Sequence, residues 1–190
     1  MIIAGVDEAG RGPLAGPVVA AAVVLSRRER ERLVAMGLRD SKKITARRRE
    51  RIFAVMLEMG VSWRAQAASA GRIDRDNILR AALWAMGKTV AALPVRPDLV
   101  IVDGNTPFPC EGLCQKTLNG ADGIVPAVEA ASVVAKVLRD RAMIVLAKRY
   151  PEYGFERNKG YPSKEHRQIL RKIGPCPLHR RTFRPCIDRG

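Results

Sequence analysis

The chain has 190 residues, of which 47% are hydrophobic and 28% are charged. This length suits one domain that buries a real core without disulfides, and the composition excludes disordered, collagen-like and coiled-coil chains. The formal net charge of +15 favours a polyanionic partner, either nucleic acid or an acidic membrane surface.

The positive charge is concentrated in two segments that lie far apart in the sequence. Residues 26–51 and residues 155–190 each carry a net +7, so the rest of the chain is almost neutral. A surface that serves only solubility mixes the two signs more evenly, but composition alone leaves that alternative open. The longest apolar run, Val18 to Leu25, is far shorter than the ~20 residues that span a bilayer. The beginning of the chain lacks the pattern of a secretory leader, so we expect a cytoplasmic protein. The placement of the acidic residues favours nucleic acid as the partner, and no membrane partner is expected.

Short apolar runs bounded by turn-forming residues predict the elements of the first half. Two strands, Ile2–Val6 and Val18–Leu25, are joined by a tight connection. Two helices separated by GLRDSKK follow, and Thr45 is placed to cap the second. A third strand is predicted at Val61–Ala67.

In the second half, helices and strands alternate. A helix is predicted from Asp74 to Pro94, and a buried strand at Leu99–Val102. A fifth strand is predicted at Lys116–Leu118, followed by the longest helix at Pro126–Tyr150. A shorter helix spans Ser163–Ile173, and the remaining tail is irregular. This order of elements predicts an α/β fold with a mixed sheet.

Carboxylates stand at the ends of apolar strands, where a charge is unusual. Asp7 and Glu8 follow the first strand, Asp103 follows the buried strand, and Asp122 precedes the longest helix. Carboxylates that converge at one sheet edge repel one another, and hard divalent cations relieve that repulsion. As an alternative, Asp122 caps the long helix and Asp103 closes a plain turn. For the adjacent pair Asp7 and Glu8, we favour metal binding.

An acidic cluster in a basic protein points to phosphodiester chemistry. Two divalent ions can bridge carboxylates and phosphate, so that one activates water and the other stabilises the leaving oxygen. Nuclease is therefore the leading class. A non-catalytic basic RNA-binding protein would explain the charge but not the acids at strand ends. A small-molecule phosphohydrolase would leave the two basic segments without a role.

The loop Gly10-Arg11-Gly12 directly follows the acidic pair. Its glycines would let backbone groups approach a ligand closely, and the arginine offers a planar fork for phosphate. From the pattern alone, a hairpin connection that needs a positive φ is an equal alternative.

Other polar side chains fall near turns and in the basic tail. Residues 41–43 combine a hydroxyl with two ammonium groups, and Tyr161 is an aromatic among basic residues, where it stacks on nucleic acid or packs on the core. His166 and His179 are expected to be structural donors or phosphate contacts rather than general bases. The four cysteines lack the spacing of a zinc site, and we expect free thiols.

Six segments of the chain resemble the bacterial ribonuclease HII family and occur in the family order. They are GVDEAGRGPLAGPVV at 5–19, DSKK at 40–43, IVDGN at 101–105, PAVEAASVVAKVLRD at 126–140, YGFERNKGYPS at 153–163 and HRRTFRP at 179–185. The resemblance covers nearly the whole chain, and chance assembly of six such motifs is implausible.

The resemblance implies a ribonuclease H-like α/β fold, in which helices flank a central mixed five-stranded sheet and a small C-terminal helical extension follows. Residues 1–150 would form the catalytic domain, and residues 151–190 would pack on it and contribute substrate contacts. The implied activity is an endonuclease, dependent on Mn²⁺ or Mg²⁺, that hydrolyses the RNA strand of RNA/DNA hybrids. It would also incise 5′ of ribonucleotides embedded in duplex DNA, leaving 3′-hydroxyl and 5′-phosphate ends. We expect a monomer.

The resemblance also assigns roles to individual positions. The implied catalytic and metal-binding residues are Asp7, Glu8, Asp103 and Asp122. The implied substrate contacts are Gly10, Arg11 and Gly12 at the ribose 2′-hydroxyl, Tyr161 on the deoxyribose beyond it, and Ser41, Lys42 and Lys43 on phosphates. The chain departs from the family pattern in three places: Gly120-Ala121-Asp122 stands for a usual Lys-Gly-Asp, Asn158 for a usual His and Thr182 for a usual Ser.

Overall fold

The computed structural model describes residues 1–38, 44–110, 112–184 and 186. Its central sheet consists of β1 (Ile3–Ala9), β2 (Val18–Val24), β3 (Ser62–Ala68), β4 (Leu99–Asp103) and β5 (Cys114–Leu118). The strand order is β3-β2-β1-β4-β5. β2 pairs antiparallel with β1 and β3, whereas β4 lies parallel to both β1 and β5. The predicted mixed five-stranded sheet is therefore confirmed.

Helices cover both faces of this sheet. They are α1 (Arg27–Ala35), α2 (Ala46–Glu58), α3 (Ala70–Asp76), α4 (Ile78–Ala91), α5 (Pro126–Ala147), α6 (Phe155–Asn158) and α7 (Lys164–Ile173), with 3₁₀ helices at Ala121–Gly123 and Pro151–Tyr153. On one face, α4 packs against Ala4, Val6 and Val102. On the other face, α1, α2 and α5 pack against Ala21 and Val23. None of the described helices is long and apolar enough to cross a bilayer.

Side-chain caps determine where several of these helices begin. Ser26 and Glu29 form a reciprocal capping box at α1, and the Thr45 hydroxyl accepts a hydrogen bond from the Arg48 N–H at α2. Ser163 caps α7 in the same way. These hydroxyls satisfy N–H groups that have no partner within the helix. The predicted start of α2 at Thr45 and of α7 at Ser163 is confirmed.

The predicted single helix from Asp74 to Pro94 is wrong. The chain forms α3 and α4 instead, and they are separated by Asn77, whose φ is +65° and whose side chain caps α4. Ser69 caps the earlier helix. The Asp74 carboxylate accepts hydrogen bonds from the backbone N–H groups of Arg181 and Thr182, so it binds the C-terminal tail rather than starting a helix.

The backbone of α5 lies directly against β1, and Gly5 makes this approach possible. A Cβ atom on Gly5 would lie 2.2 Å from the carbonyl carbon of Ala127 and 2.2 Å from the nitrogen of Val128. Any larger residue would therefore push the helix away from the strand. The contact places the first turn of α5, and the 3₁₀ helix before it, at the end of β1.

The C-terminal segment packs against the second half of α5. Met143 of α5 lies in a buried cluster with Leu14, Tyr153, Phe155 and Leu170. In the tail beyond α7, His179 forms an isolated antiparallel bridge with Ala15 of the β1–β2 connection. This packing joins the last part of the chain to the loop that follows β1.

We predict that Gly5→Ala destabilises the protein by about 3 kcal/mol or more, the upper part of the range for overpacked cores. The new methyl group would meet backbone atoms of α5, which cannot rotate away as a side chain can. Urea unfolding measures the change in the free energy of unfolding.

The matched control is Gly71→Ala in α3, where the added Cβ meets nothing within 4 Å. There the same substitution is expected to be neutral or to stabilise by about 0.5–1 kcal/mol. Equal effects at the two positions would contradict the close packing of α5 on β1.

Candidate active site

Three of the four predicted carboxylates meet at one edge of the sheet. In the parallel pair of β1 and β4, Val6 lies opposite Val102, so Asp7 and Asp103 come next to each other at the same edge. Asp122 reaches this edge from the 3₁₀ helix that precedes α5. One oxygen from each of these three carboxylates lies within 4.8 Å of the other two. The sequence-based expectation that acids converge here agrees with this geometry.

The Asp7 carboxyl lies in a buried and electrostatically unfavourable environment. Burial raises its pKa well above the usual range, and the negative charge of Glu8 raises it further. A hydrogen bond from Ser132 of α5 acts in the opposite direction, as does the Glu8 N–H, which donates to Asp7 Oδ1 over 2.7 Å. A cation held by the carboxylates would remove the repulsion that disfavours ionisation.

Glu8 occupies a different position from the other three acids. Successive residues of a strand face opposite sides of the sheet, so Glu8 points to the α4 side and Asp7 to the α5 side. Glu8 lines a small pocket with Leu79 and Met86, and its Oε1 lies 3.5 Å from Nη1 of Arg11. Burial raises the pKa of Glu8, and the positive charge of Arg11 partly offsets this effect. Glu8 therefore borders the three-carboxylate cluster rather than belonging to it.

Asp122 does not take its alternative role as the cap of α5, whereas the chain does bend directly after Asp103, at Gly104. The residue at the N-cap of α5 is Val125, without a side-chain hydrogen bond, so Asp122 does not cap this helix. Asp103 Oδ1 accepts a hydrogen bond from the Ala121 N–H over 2.8 Å. That bond ties the end of β4 to the turn that carries Asp122 and thereby brings the two carboxylates together.

The Gly10-Arg11-Gly12 loop leaves β1 immediately beside the acids. Gly10 has a φ of +99°, as the hairpin alternative requires, and a Cβ there would lie 2.1 Å from Nε of Arg139. Gly12 is different, because a Cβ on it would meet nothing within 4 Å. Arg11 and Gly12 are exposed, so this part of the loop is open to a ligand.

Tyr161 lies at the surface, directly after the turn at residues 159–160. The residue is 40% exposed, which fits a boundary aromatic and leaves part of the side chain open to a ligand. Nζ of Lys136 and Cζ of Arg139 lie 5.4 Å and 5.5 Å from the centre of its ring. The preceding turn is fixed by Asn158, whose Oδ1 accepts from the Gly160 N–H and whose Nδ2 donates to the Tyr153 carbonyl. Asn158, at the position of the usual His, thus supports this turn.

The predicted phosphate contacts Ser41, Lys42 and Lys43 lie outside the described residues. The neighbouring part of the basic segment forms a surface groove of about 560 Å³, lined by residues that include Arg47, Arg48 and Arg51. A second groove, of about 640 Å³, is lined by Arg30 together with Gly123 and Glu129, next to Asp122. The first groove is therefore basic, whereas in the second Arg30 lies with the acidic Glu31 and Glu129.

Two buried histidines form a hydrogen-bonded chain that ends at Tyr161. The Cys176 N–H donates to Nδ1 of His179, so neutral His179 carries its proton on Nε2 and donates it to Nε2 of His166, 3.0 Å away. Nδ1 of His166 then donates to the Tyr161 carbonyl over 2.8 Å. Burial lowers the pKa of His179 to about 4, which keeps the pair neutral at pH 7. These histidines are structural donors, as the sequence analysis favoured.

Three residues that support the site were not predicted from the sequence. They are Ser132 on Asp7, and the fully buried Arg139 and Arg180, which hold the loop after β1. The burial of Arg139 was predictable from helical spacing, because it lies four residues from both Ala135 and Met143 on the buried side of α5. Arg180 had no comparable signal, since it lies in an irregular and generally basic tail.

The family model for ribonuclease HII matches residues 4–186 of this chain. The chain belongs to the ribonuclease HII family. The acidic cluster, the loop after β1 and the turn carrying Tyr161 all fall within the matched region. The match agrees with the resemblance seen in the six sequence motifs.

Individual ribonuclease HII proteins are similar to this chain over almost its whole length. The chain is 50% identical over 186 residues to ribonuclease HII of Azorhizobium caulinodans, covering 96% of this chain and 68% of that protein. It is 48% identical over 184 residues to ribonuclease HII of Acaryochloris marina, covering 97% and 93%. The crystal structure of ribonuclease H2 from Pyrococcus horikoshii superposes with a TM-score of 0.82 at 28% identity, covering 99% and 96%.

These similarities establish the fold and the enzyme class. The α/β architecture is the ribonuclease H-like fold, as predicted, and the chain is a metal-dependent nuclease of the ribonuclease H type.

We predict that Asp7→Asn makes the metal-free protein more stable at neutral pH, by about 0.5–2 kcal/mol, the usual size of a stabilising substitution. Folding raises the pKa of Asp7, so the folded state loses stability as the pH rises from the ordinary carboxyl range through that raised value. The amide carries no charge and removes this cost.

Urea unfolding of both proteins in EDTA, at pH 5 and pH 8, measures the effect, which should be larger at pH 8. Saturating Mn²⁺ should then stabilise the wild type more than the variant, because the variant lacks one carboxylate ligand. Equal stability of the two proteins at both pH values would contradict the raised pKa.

Proposed function

We propose that this chain hydrolyses the RNA strand of RNA/DNA hybrids and incises 5′ of a ribonucleotide embedded in duplex DNA, leaving 3′-hydroxyl and 5′-phosphate ends. The observation that carries this proposal is the meeting of Asp7, Asp103 and Asp122 oxygens within 4.8 Å in a chain of net charge +15. Family membership supports the same class of reaction.

The carboxylate cluster fits hard divalent cations. Mg²⁺ and Mn²⁺ favour carboxylate oxygens, and the cluster supplies such oxygens from three different elements. Asp7, Asp103 and Asp122 would hold the ions, with Glu8 on the bordering side. Two ions bound here would supply an activated nucleophile and stabilisation of the leaving oxygen. Ser132 and the Ala121 N–H keep the carboxylates oriented, through their hydrogen bonds to Asp7 and Asp103.

The basic segments are proposed to bind the phosphates of the duplex on either side of this cluster. The groove between α1 and α2, lined by Arg47, Arg48 and Arg51, supports this role, since a polyanion is attracted to such a surface. We further propose that residues 1–150 carry the catalytic groups and that residues 151–190 add substrate contacts. Tyr161, which belongs to residues 151–190, is partly exposed, so a sugar of the substrate can stack on its ring.

Discrimination between RNA and DNA depends on the 2′-hydroxyl, which only the ribonucleotide carries. The backbone of Arg11 and Gly12, which are both exposed residues, is proposed to bind it, because the open space next to Gly12 allows a close approach. Arg11 also contacts Glu8, which borders the acidic cluster. The Gly10–Gly12 segment, called the recognition loop from here on, is therefore adjacent to the cluster.

We predict that Asp103→Asn reduces cleavage of a duplex containing a single ribonucleotide by about 100-fold or more. Loss of an outer-shell partner alone commonly costs 10–100-fold in metal affinity or activity, and a direct ligand should cost more. The amide oxygen can still accept the Ala121 hydrogen bond, so the turn before α5 should remain in place. Initial cleavage rates with Mg²⁺ and with Mn²⁺ provide the measurement.

The control is Asp98→Asn, which removes the same charge at the opposite end of β4, where an exposed pair with the N-terminus contributes little. That variant should cleave at the wild-type rate. Cleavage of an all-DNA duplex should not occur. A wild-type protein that binds the ribonucleotide duplex without cutting it would instead be an RNA-binding protein, and hydrolysis of small phosphate esters alone would indicate a phosphohydrolase.

We predict that Gly12→Ala lowers kcat/KM for the ribonucleotide duplex by about tenfold while the free energy of unfolding changes by less than about 0.5 kcal/mol. The methyl group fits the free protein but occupies the space that the ribose would approach. Gly10→Ala is the comparison variant. It should destabilise the protein, because its Cβ would lie 2.1 Å from Arg139 Nε and its φ is positive. Normal cleavage by Gly12→Ala would contradict recognition at this loop.

A further inference from the structure

The recognition loop is held from its inner side by one buried guanidinium group. Arg180 has no exposed surface. Its Nη2 donates to the Gly10 carbonyl over 2.5 Å, its Nη1 to the Arg11 carbonyl over 2.8 Å, and its Nε to the Gly16 carbonyl over 3.1 Å. Two of these three acceptors belong to consecutive peptide groups of the loop, so a single side chain fixes the orientation of both.

The same two peptide groups carry the N–H groups of Arg11 and Gly12. In a trans peptide the C=O and the N–H point in opposite directions. When both carbonyls point inward to Arg180, the N–H groups of Arg11 and Gly12 must therefore point away from it. Among the described residues, no hydrogen-bond partner of either N–H group is found. Two backbone donors are thus presented side by side on the exposed side of the loop.

The charge of Arg180 also strengthens these donors. No ion pair of the described residues involves Arg180, and its donors all bond to backbone carbonyls. Burial and the nearby charge of Arg139 lower the pKa of Arg180 to about 9, which leaves the group cationic at pH 7. A cation on a carbonyl polarises the peptide group, and hydrogen bonds in such a chain reinforce one another.

Arg139 supports the rest of the loop in a complementary way. It donates to the carbonyls of Ala15 and Pro17 in the loop, and to the carbonyl of Lys159 near Tyr161. Arg139 therefore fixes the loop relative to the turn that carries Tyr161, whereas Arg180 orients the two peptide groups that would face the ribose.

We infer that Arg180 is a positioning residue for recognition of the ribose 2′-hydroxyl. It does not contact the substrate, and it acts by directing the N–H groups of Arg11 and Gly12 outward as paired donors. This inference rests on the proposed function, in which the Gly10–Gly12 loop reads the 2′-hydroxyl. Arg180 is thereby a determinant of the preference for ribonucleotides rather than of general affinity for nucleic acid.

The test compares the binding of two duplexes that differ by a single 2′-hydroxyl, with EDTA present so that neither is cut. The full-length wild type, Arg180→Lys and the control Arg181→Lys are measured. Arg180→Lys keeps the charge but cannot reach consecutive carbonyls with a planar fork. Its preference for the ribonucleotide duplex should fall about three- to tenfold, as expected for one or two hydrogen bonds, and its affinity for the all-DNA duplex should not change.

Arg181 is exposed, and only its backbone bonds to Asp74 in the described contacts, so Arg181→Lys should keep the wild-type preference. A purely structural role for Arg180 would reduce the active fraction and weaken binding of both duplexes equally, and that result would overturn the inference. An unchanged preference in folded Arg180→Lys would overturn it as well. If the wild type binds the two duplexes equally well, the Gly10–Gly12 loop does not recognise the 2′-hydroxyl. That result would contradict the proposed function of the loop, and the inference would fail with it.

A measurement on the wild type covers the case in which Arg180→Lys does not fold. The backbone amide NMR signals of Arg11 and Gly12 should shift when the ribonucleotide duplex is added and shift much less with the all-DNA duplex. Shifts of equal size with both duplexes would overturn the inference.

Discussion

Helix α5 lies in backbone contact with β1 at Gly5, and the relative positions of the site's parts depend on that contact. The turn before the helix carries Asp122 to the end of β1. Ser132 then reaches Asp7, and Arg139, seven residues later, reaches the loop that follows β1. Seven residues correspond to two turns, or about 10 Å along the helix. One helix face therefore sets the spacing between the acidic cluster and the loop proposed to read the substrate.

The acidic cluster gains its chemistry at the expense of stability. Burial and mutual repulsion disfavour the ionised form of Asp7, and Glu8 adds to that repulsion from the other face of β1. The parallel pairing of β1 and β4 places Asp7 next to Asp103, so the sheet itself holds these two carboxylates together. Arg11 lies beside Glu8 at the border of the cluster. In the proposed function, a bound cation supplies the positive charge that relieves the repulsion between the carboxylates.

Local patterns predicted the strands and most helices, because apolar periodicity and capping hydroxyls act within a few residues. The convergence of Asp7 and Asp103 was also predictable, since parallel strands end at one edge. The break at Asn77 was not, because Asp74 is used by a tail more than 100 residues away in sequence. The role of Arg180 was hidden for the same reason, since its partners are backbone carbonyls, which no residue type reveals. Glu8 and Asp7 point to opposite sides of the sheet because successive strand residues alternate, and this was predictable from the sequence.

The contacts of Arg180 join positions 169 and 170 residues apart, and the Ala15–His179 bridge closes the same long loop. Contacts of such high sequence separation form late, because the entropy of loop closure must be overcome first. During synthesis, the strands and the three carboxylates of the cluster are complete in the chain well before residue 180 emerges. On the proposed roles, a growing chain can therefore assemble its cation site first and acquire its selectivity for ribose last.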